Sequence, residues 1–396
     1  MCATGNWIQN TRQPYYSSIP AGDSDVLRGI LRYFNRSMAV ARARVRATMG
    51  IGGVFWPETS TPWGTYDAAG LGYGCNGSGP AVQPALSPFL TAKDDRRGAG
   101  PTVPAVNGYT RFYSSGSLEV CFLGLEEFDA SVRPSAFFGR ESRLVVSKRP
   151  KPSVGQPQAD AETLRTLTLP ICDGVLQFYR ERFPRLNAST GKTDLFPSQV
   201  IESFWCGNGG EGTNAWGHRG ADGKMPGANG SEGRPYGRGE CPTNGAPDVA
   251  GLRAVLSRLL SLPPSLLQAE PAWPTAQWQA SLGALPPLET EVCHFGGQQP
   301  PPHGPPDGGP CRTCSPNHNS STCWCNGHTP CAPPTGSEPV VAIAAAPWIR
   351  GIRQHNHENH ALYAVWPFRQ FAAGKPGLEI GRATYRHRPH PCNHNW

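Results

Sequence analysis

Apolar positions recur at helical spacing in several separate stretches, most clearly over 23–50. Val26, Ile30, Phe34, Met38, Ala41 and Val45 share one side, Asp23, Ser24 and Asp25 offer caps, and Gly50 ends the run. Arg42, Arg44 and Arg46 then belong to the solvated flank. The same periodicity predicts helices over about 118–129 and about 161–182. In the second, Leu164, Leu167, Ile171, Val175, Phe178 and Tyr179 lie together, and Pro170 predicts a kink. Another helix is predicted from Pro247 to Leu260, with proline in its first turn and Asp248 beside it, and a last one over about 378–388. Apolar runs at 144–146 and 340–346 read as short strands. The pattern is mainly α.

Between these elements the periodicity lapses. Segment 71–104 is rich in Gly, Pro and Ser, 133–160 is polar with prolines, and both read as irregular. Residues 206–241 are nearly all Gly, Asn, Glu, Arg and Ser, too polar to bury a core. Cys206 and Cys241 bracket them, which suggests an inserted loop closed by a disulfide. A second insert, 293–335, carries Cys311, Cys314, Cys323, Cys325 and Cys331 with His303, His318 and His328. These are zinc-ligand types, but the spacing fits no zinc module, so a disulfide knot or a disordered tract is expected, with a metal-binding interaction protein as the rival.

Composition adjusts this picture at its edges. A chain of 396 residues has room for one large domain or two average ones; the order of elements reads as a single domain, 1–396, interrupted by the two inserts. Gly (47) and Pro (42) exceed a fifth of the chain, close to the level at which core-less inserts are expected. The net charge of +7 is modest and the basic residues are scattered, so no nucleic-acid partner is expected. No apolar run is long enough to span a membrane. Residues 1–13 lack the features of a signal peptide. The thirteen cysteines and the sequons at Asn35, Asn76, Asn187, Asn229 and Asn319 nevertheless lean towards an extracellular or secretory route.

Candidate chemistry concentrates in three places. Within 191–205, Glu202 sits among Phe196, Val200, Ile201, Phe204 and Trp205. Apolar surroundings raise a carboxyl pKa and keep it protonated near neutrality, as a general acid requires, and aromatic neighbours such as Trp205 suit the C–H faces of a sugar. A solvated acid at a strand end is the alternative. In 52–64, a loop marked by glycines and prolines holds Phe55, Trp56, Glu58 and Trp63, which suggests substrate contact, with packing as the alternative role of the rings. Segment 355–369 opens with His355, Asn356, His357, Glu358, Asn359 and His360, groups suited to a metal or to sugar hydroxyls, and continues into Tyr363 and Trp366.

The order of these motifs resembles a family. Gly53-Val-Phe-Trp-Pro-Glu-Thr59, Asn107-Gly-Tyr-Thr-Arg111, Gly116-Ser-Leu-Glu119, Phe196-Pro-Ser-Gln-Val-Ile-Glu202, Pro247-Asp-Val-Ala-Gly-Leu252 and Asn359-His-Ala-Leu-Tyr-Ala-Val-Trp-Pro-Phe368 are similar to a group of six-hairpin glycosidase-like proteins. That group is similar to glycoside hydrolase family 95, the inverting α-L-fucosidases and α-L-galactosidases. The resemblance covers most of the chain outside the inserts. It implies a mainly α fold, an incomplete (α/α)6 toroid that lacks the family's upstream β-sandwich and its last hairpins.

It also implies an activity: hydrolysis of a polysaccharide or oligosaccharide, inverting in that family's manner, without cofactor or metal. Glu202 becomes the general acid, with Asn356 and Asn359 helping to activate water. Trp56, Glu58, Trp63, Asn107, Arg111, Trp205, His355, His357, Glu358 and Tyr363 become substrate contacts. Asp248 is better suited to capping its helix and steadying the neighbouring loop than to catalysis. An inactive carbohydrate-binding or structural relic of the same fold is the other reading.

Overall fold

In the computed structural model the described residues are 6–21, 23–56, 58–60, 113–132, 156–196, 198–201, 203, 242–268, 272–293, 340–343 and 358–386. They are mainly helical. In chain order they form β1 (Asn6–Trp7), α1 (Ile8–Ala21), α2 (Ser24–Met49), β2 (Thr59–Ser60), α3 (Ser115–Val132), α4 (Gln156–Thr163), a π turn (Leu164–Thr168) and α5 (Leu169–Arg182). Then follow α6 (Ala246–Leu260), a single turn (Pro264–Leu267), α7 (Thr275–Ala284), β3 (Thr290–Cys293), β4 (Val340–Ile343), a 3-10 turn (His360–Ala364) and α8 (Leu378–Arg386).

Helix α3 is the axis. It packs against α1, α2, α4, the π turn, α5 and α6, and its residues from Ser115 to Phe128 are all buried. The reason is its sequence: Leu118, Val120, Cys121, Phe122, Leu123, Leu125 and Phe128 are apolar around the whole circumference, so every face needs a neighbour. Each such side chain is worth about 1.5–3 kcal/mol on burial. Three glutamates interrupt this surface, and an unpaired charge there would be very costly. Each meets an arginine from a different element. Glu119 pairs with Arg12 of α1 at 2.5 Å, Glu127 with Arg28 of α2 at 3.3 Å, and Glu126 with Arg258 of α6 at 3.0 Å and Arg369 at 2.7 Å.

Several expectations need correction. The buried stripe of α2 runs through Leu27 and Leu31 before joining Phe34, Met38, Ala41 and Val45, while Val26 is exposed and Ile30 half-buried. Arg44 is buried rather than solvated, because it lies one helical turn from Ala41 and next to Val45. Asp23 stands at the N-cap without a side-chain cap bond. Gly50, in the left-handed conformation at φ 68°, ends the helix as expected, its N–H donating to the Arg46 carbonyl.

Pro170 produces a π turn rather than a plain kink. Proline removes the donor that would meet the carbonyl four residues back, and the backbone widens over Leu164–Thr168, where the Leu169 N–H reaches the Leu164 carbonyl. The Thr166 carbonyl is met instead by Asn35 Nδ2 of α2 at 3.1 Å. Helices α1 and α7 were not predicted: Pro14 and Pro20 interrupt the first, and weak amphipathicity hides the second. The strand at 340–343 pairs antiparallel with β3, Cys293 against Val340. Segment 144–146, the Cys206–Cys241 pair and the Cys/His cluster of the second insert lie outside the described residues. Cys121 and Cys172 are buried and carry free thiols. Among the described residues no helix is long and apolar enough to cross a membrane.

Candidate functional site

Loop 51–58 is fixed by α5. At Gly53, φ is 82° and a Cβ would stand 2.2 Å from the backbone nitrogen of Phe178, so only glycine fits. Val54 N–H donates to the Gly174 carbonyl at 2.8 Å, and Phe55 stacks on Phe178 at 5.1 Å. The loop then turns inward. Trp56 is fully buried, edge-on to Phe34 at 5.2 Å, with its indole N–H donating to Ser37 Oγ at 3.0 Å. Its rings therefore have no free face for a sugar, and the packing role holds for this residue. The Trp56 backbone N–H donates to Ser117 Oγ of α3 at 3.2 Å. Glu58 is buried as well, and its carbonyl accepts the Ile8 N–H at 2.8 Å where α1 begins.

Two residues further along α3 lies a dense polar cluster. Arg12 Nη1 donates to both oxygens of Glu119 at 2.5 Å and to Tyr363 Oη at 3.0 Å. Tyr113 Oη donates to Glu119 Oε1 at 3.3 Å and shares a 2.5 Å hydrogen bond with Tyr363 Oη. The guanidinium also lies 5.1 Å from the Tyr363 ring and 5.5 Å from Trp366. All four polar side chains are essentially inaccessible.

Burial raises the Glu119 pKa, and Arg12 and the Tyr113 hydroxyl pull it back. For Arg12, burial opposes the charge, but Glu119, Tyr363 and Tyr113 outweigh it and hold the guanidinium protonated. Both tyrosines are pushed up, Tyr113 chiefly by burial and then by Tyr363, Tyr363 chiefly by burial. They stay neutral donors across the physiological range. Glu358 acts electrostatically on both, so the 358–363 turn faces this cluster, and Asn359 and His360 are buried in the same turn.

A second buried carboxylate stands nearby. Asp248, in the first turn of α6, accepts Tyr179 Oη at 2.5 Å, Ser114 Oγ at 2.9 Å and Ser198 Oγ at 3.2 Å. Its pKa rises to about 6 through burial, which the three hydroxyls only partly offset. The N-cap of its helix is Gly245, and the hydrogen bonds of the Asp248 carboxylate go to those three hydroxyls. The side chain steadies the loop instead, by tying α5, the entry to α3 and Ser198 to one point. Past Ser198, Val200, Ile201 and Ser203 are buried, and Ile201 takes φ 43°, a strained value for a β-branched residue, with its carbonyl accepting Gln199 Nε2 at 2.9 Å.

Of the candidate residues, the structure brings Tyr363 and Glu358 together with Tyr113 and Glu119, and links Trp56 to the same end of α3 through Ser117. Glu202, Asn356, Trp63, Asn107, Arg111, Trp205, His355 and His357 lie outside the described residues. Among the described residues no group of three or more His, Cys, Asp or Glu side chains is placed to hold a metal ion. Arg12 and Glu119 were not singled out from the residues as site candidates. The signals for Glu119 were its place in the Gly116-Ser-Leu-Glu119 motif and at the head of an apolar run.

No family model, no curated protein and no solved structure matches this chain.

Proposed function

We propose that the chain is a glycoside hydrolase of the (α/α)6 toroid type, acting on a polysaccharide or oligosaccharide by acid-assisted, inverting hydrolysis. The observation that supports this is convergence. Loop 52–58, the start of α3 and the 358–366 turn, remote from one another in sequence, meet through buried polar contacts at Ser117, Glu119 and Tyr363. In this reading the Arg12, Glu119, Tyr113 and Tyr363 cluster is positioning machinery. It holds the turn that carries Glu358 and Asn359 in place without itself touching substrate.

Glu202 serves as the acid, and the strained Ile201 and the Ser198–Asp248 bond fix the chain before it. Asn356 and Asn359 orient water on the opposite face, and Glu58 or Glu358 is the candidate base. Inversion requires acid and base carboxyls on the order of 6.5–9.5 Å apart. The test is a panel of aryl glycosides and of plant and algal polysaccharides, with the anomer of the first-formed sugar followed by NMR. Release of the inverted anomer is expected; release of the retained anomer, or no release from any member, overturns the reading.

A second reading, a carbohydrate-binding protein without turnover, is favoured by one feature. Both oxygens of Glu119 are engaged by Arg12, and Glu58 and Glu358 are buried, so the described residues present no open pair of facing carboxyls. Binding of oligosaccharides with no hydrolysis is its signature.

A further inference from the structure

A cavity of about 240 Å³ lies between α5, α6, α7 and the 184–195 turn, away from the polar cluster. Its wall is mostly carbon, from Leu176, Phe183, Leu195, Leu252, Leu256 and Leu285 among others, with Thr193 and Ser281 as the hydroxyl-bearing exceptions. Tyr179 contributes its ring only, because its hydroxyl is committed to Asp248. Most sugar hydroxyls would lose their water here against leucine and phenylalanine side chains, so the cavity suits an aliphatic chain better than a carbohydrate. The site is held ready-made: Thr193 N–H donates to the Ala284 carbonyl at 2.7 Å and Lys192 Nζ to the Gly283 carbonyl at 2.7 Å, tying the turn to the end of α7.

The mouth has a different chemistry. Arg180, Pro184, Leu186 and Ala280 line it and are exposed. Arg180 is the one charged group in the lining. Asp173 and Glu181 of the same helix lie within its field, but among the described residues no carboxylate closes an ion pair with it.

We propose that this cavity binds a medium-chain aliphatic carboxylate, with its chain among the leucines and its head group at Arg180. At the roughly 30 Å³ that a water occupies in the liquid, the volume accommodates on the order of eight non-hydrogen atoms, the size of an octanoate chain. The site is independent of the hydrolase reading.

Titration of the full chain with hexanoate, heptanoate, octanoate and octanol, followed by calorimetry, tests it. Octanoate is expected to bind saturably at one site, each methylene from hexanoate to octanoate tightening Kd about fourfold. Octanol should bind about fivefold more weakly, and Arg180→Gln should remove that difference. Ala280→Trp, at an exposed rim position, should block entry while leaving the melting temperature unchanged. Absence of saturable octanoate binding, binding that survives Ala280→Trp in a folded protein, or octanol binding as tightly as octanoate to the unaltered chain overturns the proposal.

Discussion

Asp248 shows how one side chain fixes several elements at once and what that arrangement costs. Its carboxyl is raised from the usual range to about 6, so the folded protein holds that proton more tightly than the unfolded chain does. The sign follows: the contribution of Asp248 to stability is full below about pH 4, falls as pH rises towards 6, and is flat above. The slope is at most about 1.4 kcal/mol per pH unit. Urea midpoints measured between pH 4 and 7 should show this component in the unaltered protein and lose it in Asp248→Asn. Glu119 belongs to the same scale. Glu119→Gln leaves the Arg12 charge buried without its counter-ion and should cost about 3–5 kcal/mol in urea unfolding, whereas Arg12→Met with Glu119→Leu should recover most of that. Neither role was legible locally. Asp248 was readable as a structural acid from its place at a helix start, but its three hydroxyl partners come from residues 114, 179 and 198, which no periodicity connects.

Elements were legible where one local signal ruled them. Helices α2, α3, α5 and α6 follow from apolar spacing, and Gly50 and Pro247 mark ends that the structure keeps. Prolines misled twice. Pro14 and Pro20 hid α1, whose turns are supported by Ser17 Oγ and Ser18 Oγ donating to the carbonyls of Pro14 and Tyr15 at 2.8 and 2.7 Å. Pro170 is absorbed by the π turn because a side chain from another helix, Asn35, meets the carbonyl that proline leaves without its usual donor. Asn35→Ala should therefore destabilise the fold by about 1 kcal/mol, read as a lowered urea midpoint with an unchanged slope. The same bond argues against the sequon reading at Asn35, whose amide is turned onto α4's continuation rather than presented on a loop. Asn187 differs, since it lies in the 186–193 turn, where its Oδ1 accepts the Ser189 N–H at 3.0 Å.

At the scale of the molecule the organising element is α3, with Ser198 linked to its entry through Asp248 and Ser114. A mainly α class was readable from periodicity. Phe55 and Trp56 take the packing alternative, and sequence cannot tell a ring facing a ligand from one facing Phe34 or Phe178. The proposed hydrolysis depends on a protonated acid at residue 202. The direct measurement is the turnover of Glu202→Gln against the unaltered chain on a glycoside that the unaltered chain cleaves, with melting temperatures compared alongside. Loss of the acid should lower kcat about 10²- to 10⁴-fold at an unchanged melting temperature; full turnover by the variant would contradict the account.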